Sequence, residues 1–391
     1  MGGRNRLGAG SLRLWIEQAH RTLVGPAAGS PEEGESPAVG TLQTEEQFCV
    51  VLVTWPQGGM EGSVQAHKIA QDLIAAVGQG GGLEEAIGAT LAALPAGRYV
   101  PIAVLHVVEG RQAALVECDA PPLLLSRRGR LVLPPVVEEE CEGRLVRRGE
   151  FALQEGDYLA MVSPAYILAR GWDRRWGWRD IAQAVRRLTE TGGTAEALLG
   201  ALLRMYHRLA GGEPERSVTV VAMRVRPLRS LTVWSGPPAD PARDRKALES
   251  FLSESGRRVI CGDTTAQLAA RLLGAELHVE PRPADGWMEV PPTSTLEGVD
   301  LVTEGLVTMR LACQRLQEAK SPQDLPRKED GATRLARLLL EADVIRFLVG
   351  LAVNPAQAAD AAGKVPLRRI VVEEMVAELR RKGKIVSVEY I

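Results

Sequence analysis

The order of apolar segments along this chain changes at Pro227. Before it, a strand pattern is followed by two helical patterns, a series of short β-branched segments, two more helical patterns and a closing strand. After it, strands alternate with helices, which is typical of a mostly parallel sheet with helices on both faces. A chain of 391 residues is also too long for one hydrophobic core. The sequence therefore predicts two domains, 1–227 and 228–391.

Apolar periodicity gives the predicted elements of the first domain. The Pro-, Gly- and Glu-rich run 25–40 predicts a loop or mobile segment, and Gly80–Gly82 predicts a turn between two helices. The predicted elements are the strand-like or amphipathic segment Leu12–Leu23, strand Phe48–Val53, helices Val64–Val77 and Leu83–Leu94, strands Tyr99–Val108, Gln112–Cys118, Leu123–Ser126, Arg130–Leu133 and Tyr158–Val162, helices Trp178–Thr189 and Thr194–Ala210, and strand Ser217–Arg226.

The second domain is predicted in the same way, with a solvated loop at 320–330. Its predicted strands are Leu231–Ser235, Arg258–Cys261, Val344–Val349 and Ile385–Tyr390. Its predicted helices are Pro241–Ser253, Thr265–Leu273, Val302–Glu318, Gly331–Glu341 and Leu367–Lys382.

Composition limits the classes of function. The formal net charge of −2 gives no general attraction to nucleic acid or to an anionic membrane. The five cysteines show no CxxC pair or zinc spacing, and their odd number argues against a disulfide framework. No segment approaches the ~20 apolar residues of a membrane span, and no signal-peptide pattern follows Met1. We therefore expect a cytoplasmic protein.

Two segments of the first domain have a recognisable spacing of turn and strand residues. Residues 155–165 read EGDYLAMVSPA, and residues 211–226 read GGEPERSVTVVAMRVR. They resemble the last two signature blocks of the metal-dependent type 2C protein phosphatases, in the branch typified by stage II sporulation protein E. That family writes the blocks as GD-x-L-x-x-x-SDG and GG-x-P-x-DD-x-TVV.

The acids of these blocks are missing here. The family's Asp-Gly stands at Pro164 and Ala165, and its Asp-Asp stands at Arg216 and Ser217. In such phosphatases, acids hold two divalent cations that activate water, because hard cations such as Mn²⁺ and Mg²⁺ prefer carboxylate oxygens. The resemblance therefore implies a site whose metal ligands have been lost.

A third block of the family consists of a strand, a DGLGxG loop and a helix. Residues 48–73 resemble it, and the family's Asp falls on Gly58, next to Gly59. The resemblance implies an α+β fold: a type 2C-like α-β-β-α sandwich, followed by a smaller α/β domain with a mostly parallel sheet.

Three functional hypotheses follow. The first is a catalytically degenerate member of this phosphatase branch that binds a regulatory protein partner, with or without phosphate on its Ser or Thr residues. No cofactor, nucleic acid or membrane is then expected, and a homo-oligomer stays open. The second is an active Mn²⁺- or Mg²⁺-dependent Ser/Thr phosphatase with displaced ligands such as Glu61, Asp157, Asp173 or Asp180. The third is a sensor of small anions in the second domain.

Arg216 has two predicted roles besides that of a solvated surface residue. A guanidinium is a permanent cation with a planar fork of donors. We expect it either to pair with a nearby acid and close the site, or to hold an anionic group of a partner.

The second domain resembles the C-terminal domain found in clostridial-type members of the same branch, including a block that contains Asn354. Its ligand candidates begin with the loop Gly262, Asp263, Thr264 and Thr265, which lies between a predicted strand and helix. Helix-start N–H groups attract anions, although simple capping explains the loop as well, and Asp263 would repel phosphate.

Glu297, Asp300 and Glu304 form an acidic cluster that precedes and enters a predicted helix. Asp300 and Glu304 are spaced to share one helical face. The cluster suggests a cation site or, more simply, acids that complement the helix dipole. The histidines are isolated, and only His67 lies near the third block; Trp172, Trp176 and Trp178 suggest either ligand stacking or local packing.

Overall fold

The chain divides into two compact units, Met1–Pro227 and Leu228–Ile391, which we call the N-terminal and C-terminal units. We describe them from a computed structural model. It describes residues 13–25, 35–56, 59–95, 97–168, 177–212, 214–280, 290–352 and 367–391.

Two antiparallel sheets form the centre of the N-terminal unit. Among the described residues, the first has the order β1-β11-β10-β6-β7 and the second β2-β3-β4-β5-β9-β8. Their strands are β1 (Leu14–Leu23), β2 (Ser36–Gln43), β3 (Gln47–Trp55), β4 (Ile102–Val108), β5 (Gln112–Cys118), β6 (Leu124–Arg127), β7 (Arg130–Val132), β8 (Val137–Cys141), β9 (Arg144–Ala152), β10 (Asp157–Val162) and β11 (Val218–Pro227).

The two sheets pack face to face with helices outside, so the predicted α-β-β-α sandwich is confirmed. One core contains side chains of both sheets, for example Val50 with Met223. Separate cores join the second sheet to α1 and α2, and the first sheet to α4 and α5. The helices are α1 (Gly59–Gly78), α2 (Leu83–Ala93), α3 (Pro164–Ile167), α4 (Trp178–Glu190) and α5 (Ala195–Ala210).

β3 shows how the sequence produces these layers. Successive side chains of a strand point to opposite faces. Phe48 and Val50 therefore enter the core between the sheets, while Cys49 and Val51 pack against α1 and α2. A strand buried on both faces reads as one continuous apolar run, which is why this strand was predictable.

Two parts of the N-terminal unit differ from the prediction. Residues 36–40 were predicted within a loop but begin β2, an edge strand that tolerates Pro37. Gly40 also belongs there, because a Cβ would lie 2.9 Å from the carbonyl oxygen of Ala70 in α1. The hairpin of β8 and β9 was not predicted, since the exposed edge strand β8 carries Glu138–Glu140 and lacks apolar alternation.

The C-terminal unit contains a mostly parallel sheet, as predicted. Its order among the described residues is β14-β15-β16-β13-β12-β17-β18, in which only the pairs that involve β15 are antiparallel. The strands are β12 (Ser230–Ser235), β13 (Arg257–Cys261), β14 (His278–Val279), β15 (Ser294–Leu296), β16 (Val299–Thr303), β17 (Val344–Val349) and β18 (Ile385–Tyr390).

Helices cover both faces of this sheet. Helices α6 (Asp244–Ser253) and α7 (Asp263–Leu273) contribute to one core. Helices α8 (Leu306–Glu318), α9 (Gly331–Glu341) and α10 (Leu367–Arg381) contribute to the other. No helix in the described ranges is long and apolar enough to span a bilayer.

The predicted helix Val302–Glu318 was wrong at its start. Val302 lies in β16, and α8 begins only at Leu306, after Gly305 with a φ of 143°. Leu301 and Val302 are both buried, on opposite faces of the sheet. A strand of this kind cannot be distinguished from a buried helix by apolar content alone. Asp300 and Glu304 therefore do not share a helical face.

Candidate functional site

The three signature blocks meet at one end of the N-terminal unit. We call it the signature end and define it by Glu35, Ser36, Gly59, Ser163, Pro164, Ala165, Arg216 and Ser217. In the second sheet, β2 begins where β3 ends, with Ser36 opposite Trp55. Helix α1 then begins at Gly59, whose carbonyl oxygen lies 3.5 Å from the Ser36 hydroxyl. The predicted loop around Gly59 is therefore the first turn of a helix, while Gly58 lies outside the described residues.

The other two blocks belong to the first sheet. Ser163 follows the last residue of β10, and Thr219 lies near the start of β11. The Ser163 backbone N–H donates to the Thr219 carbonyl at 2.9 Å, and the Thr219 N–H donates to the Ser163 hydroxyl at 2.9 Å. This reciprocal pair fixes segment 155–165 beside segment 211–226.

Pro164 and Ala165 form part of the apolar core. They begin the short helix α3, where proline suits the first position because its fixed φ is helical and no N–H is needed. Both side chains are buried, and Ala165 packs in the core beneath α4 and α5. Positions at which the resemblance implies an acid and a glycine are thus occupied by packed apolar groups.

Arg216 pairs with Glu35, an acid of the same chain. Pairing with a nearby acid is one of the two roles predicted for Arg216. Its Nη1 lies 3.1 Å from Oε1 of Glu35, with 57 % of the arginine side chain and 13 % of the glutamate side chain exposed. The second carboxylate oxygen, Oε2, is buried and has no partner among the described residues. Burial raises the pKa of Glu35, and Arg216 offsets only part of this effect. The pair therefore joins the beginning of β2 to the segment before β11.

Glu35 was not singled out from the sequence, because it stands in the run that was interpreted as a loop. Its neighbourhood contains further buried polar atoms without a partner in the described structure, the Thr54 hydroxyl and the Trp55 Nε1–H. Unpaired buried groups of this kind are rare in folded proteins. No local signal in the sequence separates Glu35 from Glu32 and Glu33 of the same run.

Replacing Glu35 with glutamine is expected to stabilise the protein at pH 7. Since the folded pKa is raised, the charged carboxylate destabilises the folded state above that pKa, and the effect disappears below the ordinary value of 4.5. Urea unfolding measures the effect as the free energy of unfolding of Glu35→Gln minus that of the wild type. The difference should be largest at pH 7 and shrink towards pH 4.5. A difference independent of pH would contradict the expectation.

The acids considered as displaced metal ligands are dispersed. Glu61 is exposed on the first turn of α1, and Asp180 accepts from the Gly177 N–H at the start of α4. Asp157 lies at the opposite end of β10 from Ser163, in a bidentate pair with Arg127. Asp173 lies outside the described residues. Within the described part of the chain, no three His, Cys, Asp or Glu side chains are grouped as a metal site.

No protein-family model matches the sequence. The solved structures that resemble this chain include type 2C phosphatase domains. The phosphatase domain of SpoIIE from Bacillus subtilis is 13 % identical at a TM-score of 0.42, and the match covers 56 % of this chain and 95 % of that one. The RsbU and RsbW domains of a Mycobacterium tuberculosis protein are 16 % identical at a TM-score of 0.45, with 68 % and 71 % covered. The PP2C domain of SiaA from Pseudomonas aeruginosa is 14 % identical at a TM-score of 0.42, with 52 % and 85 % covered.

A curated relative is of a different kind. The hydroxyethylthiazole kinase of Pectobacterium atrosepticum is 30 % identical over 170 residues, which are 43 % of this chain and 60 % of the kinase. This chain thus spans less than two thirds of that relative. The TM-scores above are all below 0.5.

In the C-terminal unit, five of the predicted ligand candidates lie together at the carboxyl edge of the sheet: Gly262, Asp263, Thr264, Thr265 and Glu304. Gly262 precedes α7, and Asp263 and Thr265 lie in its first turn. The Asp263 N–H donates to the carbonyl of Glu304, which follows β16, at 3.0 Å. Thr265 Oγ1 accepts from the Gly236 N–H at 2.9 Å. Thr264 is exposed beside them.

The other candidates lie elsewhere. Glu297 is exposed in the turn between β15 and β16. Asp300 accepts from the Arg258 backbone N–H at 2.7 Å, near the beginning of its strand, so the predicted acidic cluster does not form. Asn354 lies outside the described residues.

The remaining candidates have local roles or fall outside the described ranges. His67 Nδ1 lies 2.8 Å from the Ser63 carbonyl one turn earlier in α1. Trp178 Nε1–H donates to the Pro122 carbonyl at 3.2 Å, which agrees with local packing. Trp172 and Trp176 are not among the described residues.

Proposed function

We propose that the N-terminal unit is a catalytically degenerate phosphatase-like domain that regulates by binding a protein partner. The observation that carries this proposal is the Arg216–Glu35 pair at the signature end, where the resemblance implies acids that hold metal. A regulatory partner with phosphorylated Ser or Thr is the class that the same resemblance implies.

The chemistry of the donor set argues against a two-cation centre. Two hard divalent cations need several anionic oxygens. Pro164 and Ala165 have no side-chain donor, and the carboxylate of Glu35 already accepts from a guanidinium. The positive charge of Arg216 would also repel a cation at this place. We therefore derive no hydrolytic step for this end of the unit.

The same groups suit an anion. More than half of the Arg216 side chain is exposed, and Nη1 is the nitrogen that donates to Glu35. A guanidinium has five N–H donors in a planar fork, so donors remain for a phosphoryl group. A phosphate bound to the remaining donors would share the guanidinium with Glu35, which links partner binding to the pair that joins the two segments.

Activity distinguishes this proposal from an active phosphatase with displaced ligands. We expect hydrolysis of p-nitrophenyl phosphate to stay at the buffer background when Mn²⁺ is added to the full chain. Mn²⁺-dependent turnover well above that background would refute the proposal.

A second measurement tests the role of Arg216 in binding. Charge-assisted hydrogen bonds contribute about 1.5–3 kcal/mol, so Arg216→Ala should weaken binding of a fluorescent phosphoserine peptide by about tenfold or more. Arg208→Ala, which removes an exposed cation from α5, is the matched control and should bind as the wild type does. Equal affinity of the two variants would assign Arg216 to a purely structural role.

A further inference from the structure

The strand order of the C-terminal unit marks a place where ligands bind in related architectures. From the central strand β12, the chain proceeds to β13 and β16 on one side and then to β17 and β18 on the other. In open parallel sheets, ligands bind outside the carboxyl ends of the strands where the order reverses. Here this place lies between the ends of β12 and β17, at Gly236 and Gly350.

The backbone and Arg368 approach each other closely at this reversal. A Cβ on Gly350 would lie 2.0 Å from the Pro237 carbonyl oxygen, so only glycine fits. Gly236 has a φ of 88°, and a Cβ there would lie 2.2 Å from Arg368 Nη1. The Arg368 guanidinium therefore lies directly over the end of β12.

Arg368 is half-buried and has no acid partner among the described residues. Its Nη1 donates to the Gly350 carbonyl at 3.2 Å, and burial lowers the pKa of its guanidinium. The next residue, Arg369, is exposed and pairs with Glu373 at 2.7 Å. A cation removed from water without a counter-ion destabilises the fold unless a ligand supplies the negative charge.

Two carboxylates lie further along the same edge, just after the ends of β13 and β16. Gly262 and Gly305 precede α7 and α8, and a Cβ on Gly305 would lie 3.3 Å from the Gly262 Cα, so the two helix starts touch. Asp263 and Glu304 stand beside these glycines. Burial, and then repulsion by Asp263, raises the pKa of Glu304.

The Glu304 carboxylate and the first turn of α8 each contain a buried polar atom without a partner in the described structure. Oε2 of Glu304 is buried and accepts no hydrogen bond within the described structure. The hydroxyl of Thr308, a fully buried residue of that turn, also has no partner there. The free oxygen of Glu304 can accept a hydrogen bond from a hydroxyl group of a ligand.

The arginine end and the acid end are connected through Thr265. Its Oγ1 accepts from the Gly236 N–H and lies 3.3 Å from the position of a Cβ on Gly262. From β12 to β16 the edge crosses two strand spacings, or ~10 Å. The edge thus presents a cation at one end and carboxylates at the other within the length of a small molecule.

We propose that this edge binds a small phosphorylated polyol, with its phosphate on Arg368 and its hydroxyls donating to Asp263 and Glu304. A free inorganic anion would be repelled by the two carboxylates, and a free cation would be repelled by the guanidinium. A molecule that carries phosphate at one end and hydroxyls at the other satisfies both. The carboxylate of Asp263 then has a role that does not require it to touch phosphate.

Calorimetric titration of the full chain tests this site with ribose 5-phosphate, inorganic phosphate and ribose as probes. We expect ribose 5-phosphate to bind at least tenfold more tightly than inorganic phosphate. Arg368→Gln should weaken ribose 5-phosphate binding at least tenfold, and Arg368→Lys should retain part of it. Arg369→Gln, which changes the adjacent exposed arginine, should have no effect.

The acid end has its own variant. Asp263→Asn combined with Glu304→Gln should reduce the preference for ribose 5-phosphate over phosphate to about threefold or less, because amides cannot accept from hydroxyls as strongly as carboxylates do. Circular dichroism and the melting temperature confirm that each variant is folded. Absence of binding by the wild type, equal affinity for phosphate and ribose 5-phosphate, or unchanged affinity in folded Arg368→Gln and Arg368→Lys would each overturn the proposal.

Discussion

Replacement of Arg127 with alanine is expected to lower the free energy of unfolding of the N-terminal unit by about 3–5 kcal/mol. The side chain of Asp157 is fully buried, and the Nε and Nη2 of Arg127 donate to its two oxygens at 2.8 and 2.7 Å. Removal of the arginine leaves a buried carboxylate that, among the described residues, accepts only from the Gln154 N–H. Urea unfolding followed by circular dichroism measures the loss.

Two further variants show whether the buried pair is the cause. Arg130→Ala removes an exposed arginine from the neighbouring strand and should change stability by less than about 0.5 kcal/mol. Arg127→Lys retains the charge but not the planar fork, so its loss should fall between those of the two alanine variants. Similar unfolding midpoints for Arg127→Ala and Arg130→Ala would contradict the prediction.

Replacement of Asp330 with alanine should destabilise the C-terminal unit by a similar amount. Asp330 caps α9 by accepting from the Thr333 N–H at 2.9 Å, and both of its oxygens accept from Arg315. Only 8 % of the Asp330 side chain and 14 % of the Arg315 side chain are exposed. The variant therefore loses a helix cap, which lowers the free energy of unfolding by about 1 kcal/mol. It also breaks a buried ion pair, which lowers it by about 3–5 kcal/mol.

The pH dependence of Asp330 separates the ion pair from the cap. Burial raises its pKa, but the Arg315 and Thr333 donors together hold the pKa below the ordinary value of 3.8. A depressed pKa stabilises the fold above the ordinary value, and this contribution is lost as pH falls through the folded pKa. Asp330→Asn keeps a cap acceptor but has no such dependence, so the stability advantage of the wild type should shrink below pH 3.8. Glu329→Gln, an exposed neighbour, is the control.

The local pattern of apolar residues predicted most of the helices and strands, because the spacing of apolar residues in them matches the faces that are buried. The helix α9 and the strands β17 and β18 have the predicted bounds. Two of the misses have one physical cause: an apolar pattern indicates burial, not backbone conformation. β8 is exposed and charged and therefore gave no strand pattern, whereas Val302 is buried and was interpreted as helix.

The amino-acid sequence by itself determined which chemistry was missing: Pro164, Ala165, Arg216 and Ser217 are recognisable by residue type at fixed spacing. Only the tertiary structure decided what these residues do instead. Glu35 is far from Arg216 in the chain and meets it because β2 and β11 begin at the same end of two stacked sheets. Arg368 reaches Gly236 because parallel strands end at one edge. Such pairings depend on strand order, which no local pattern specifies.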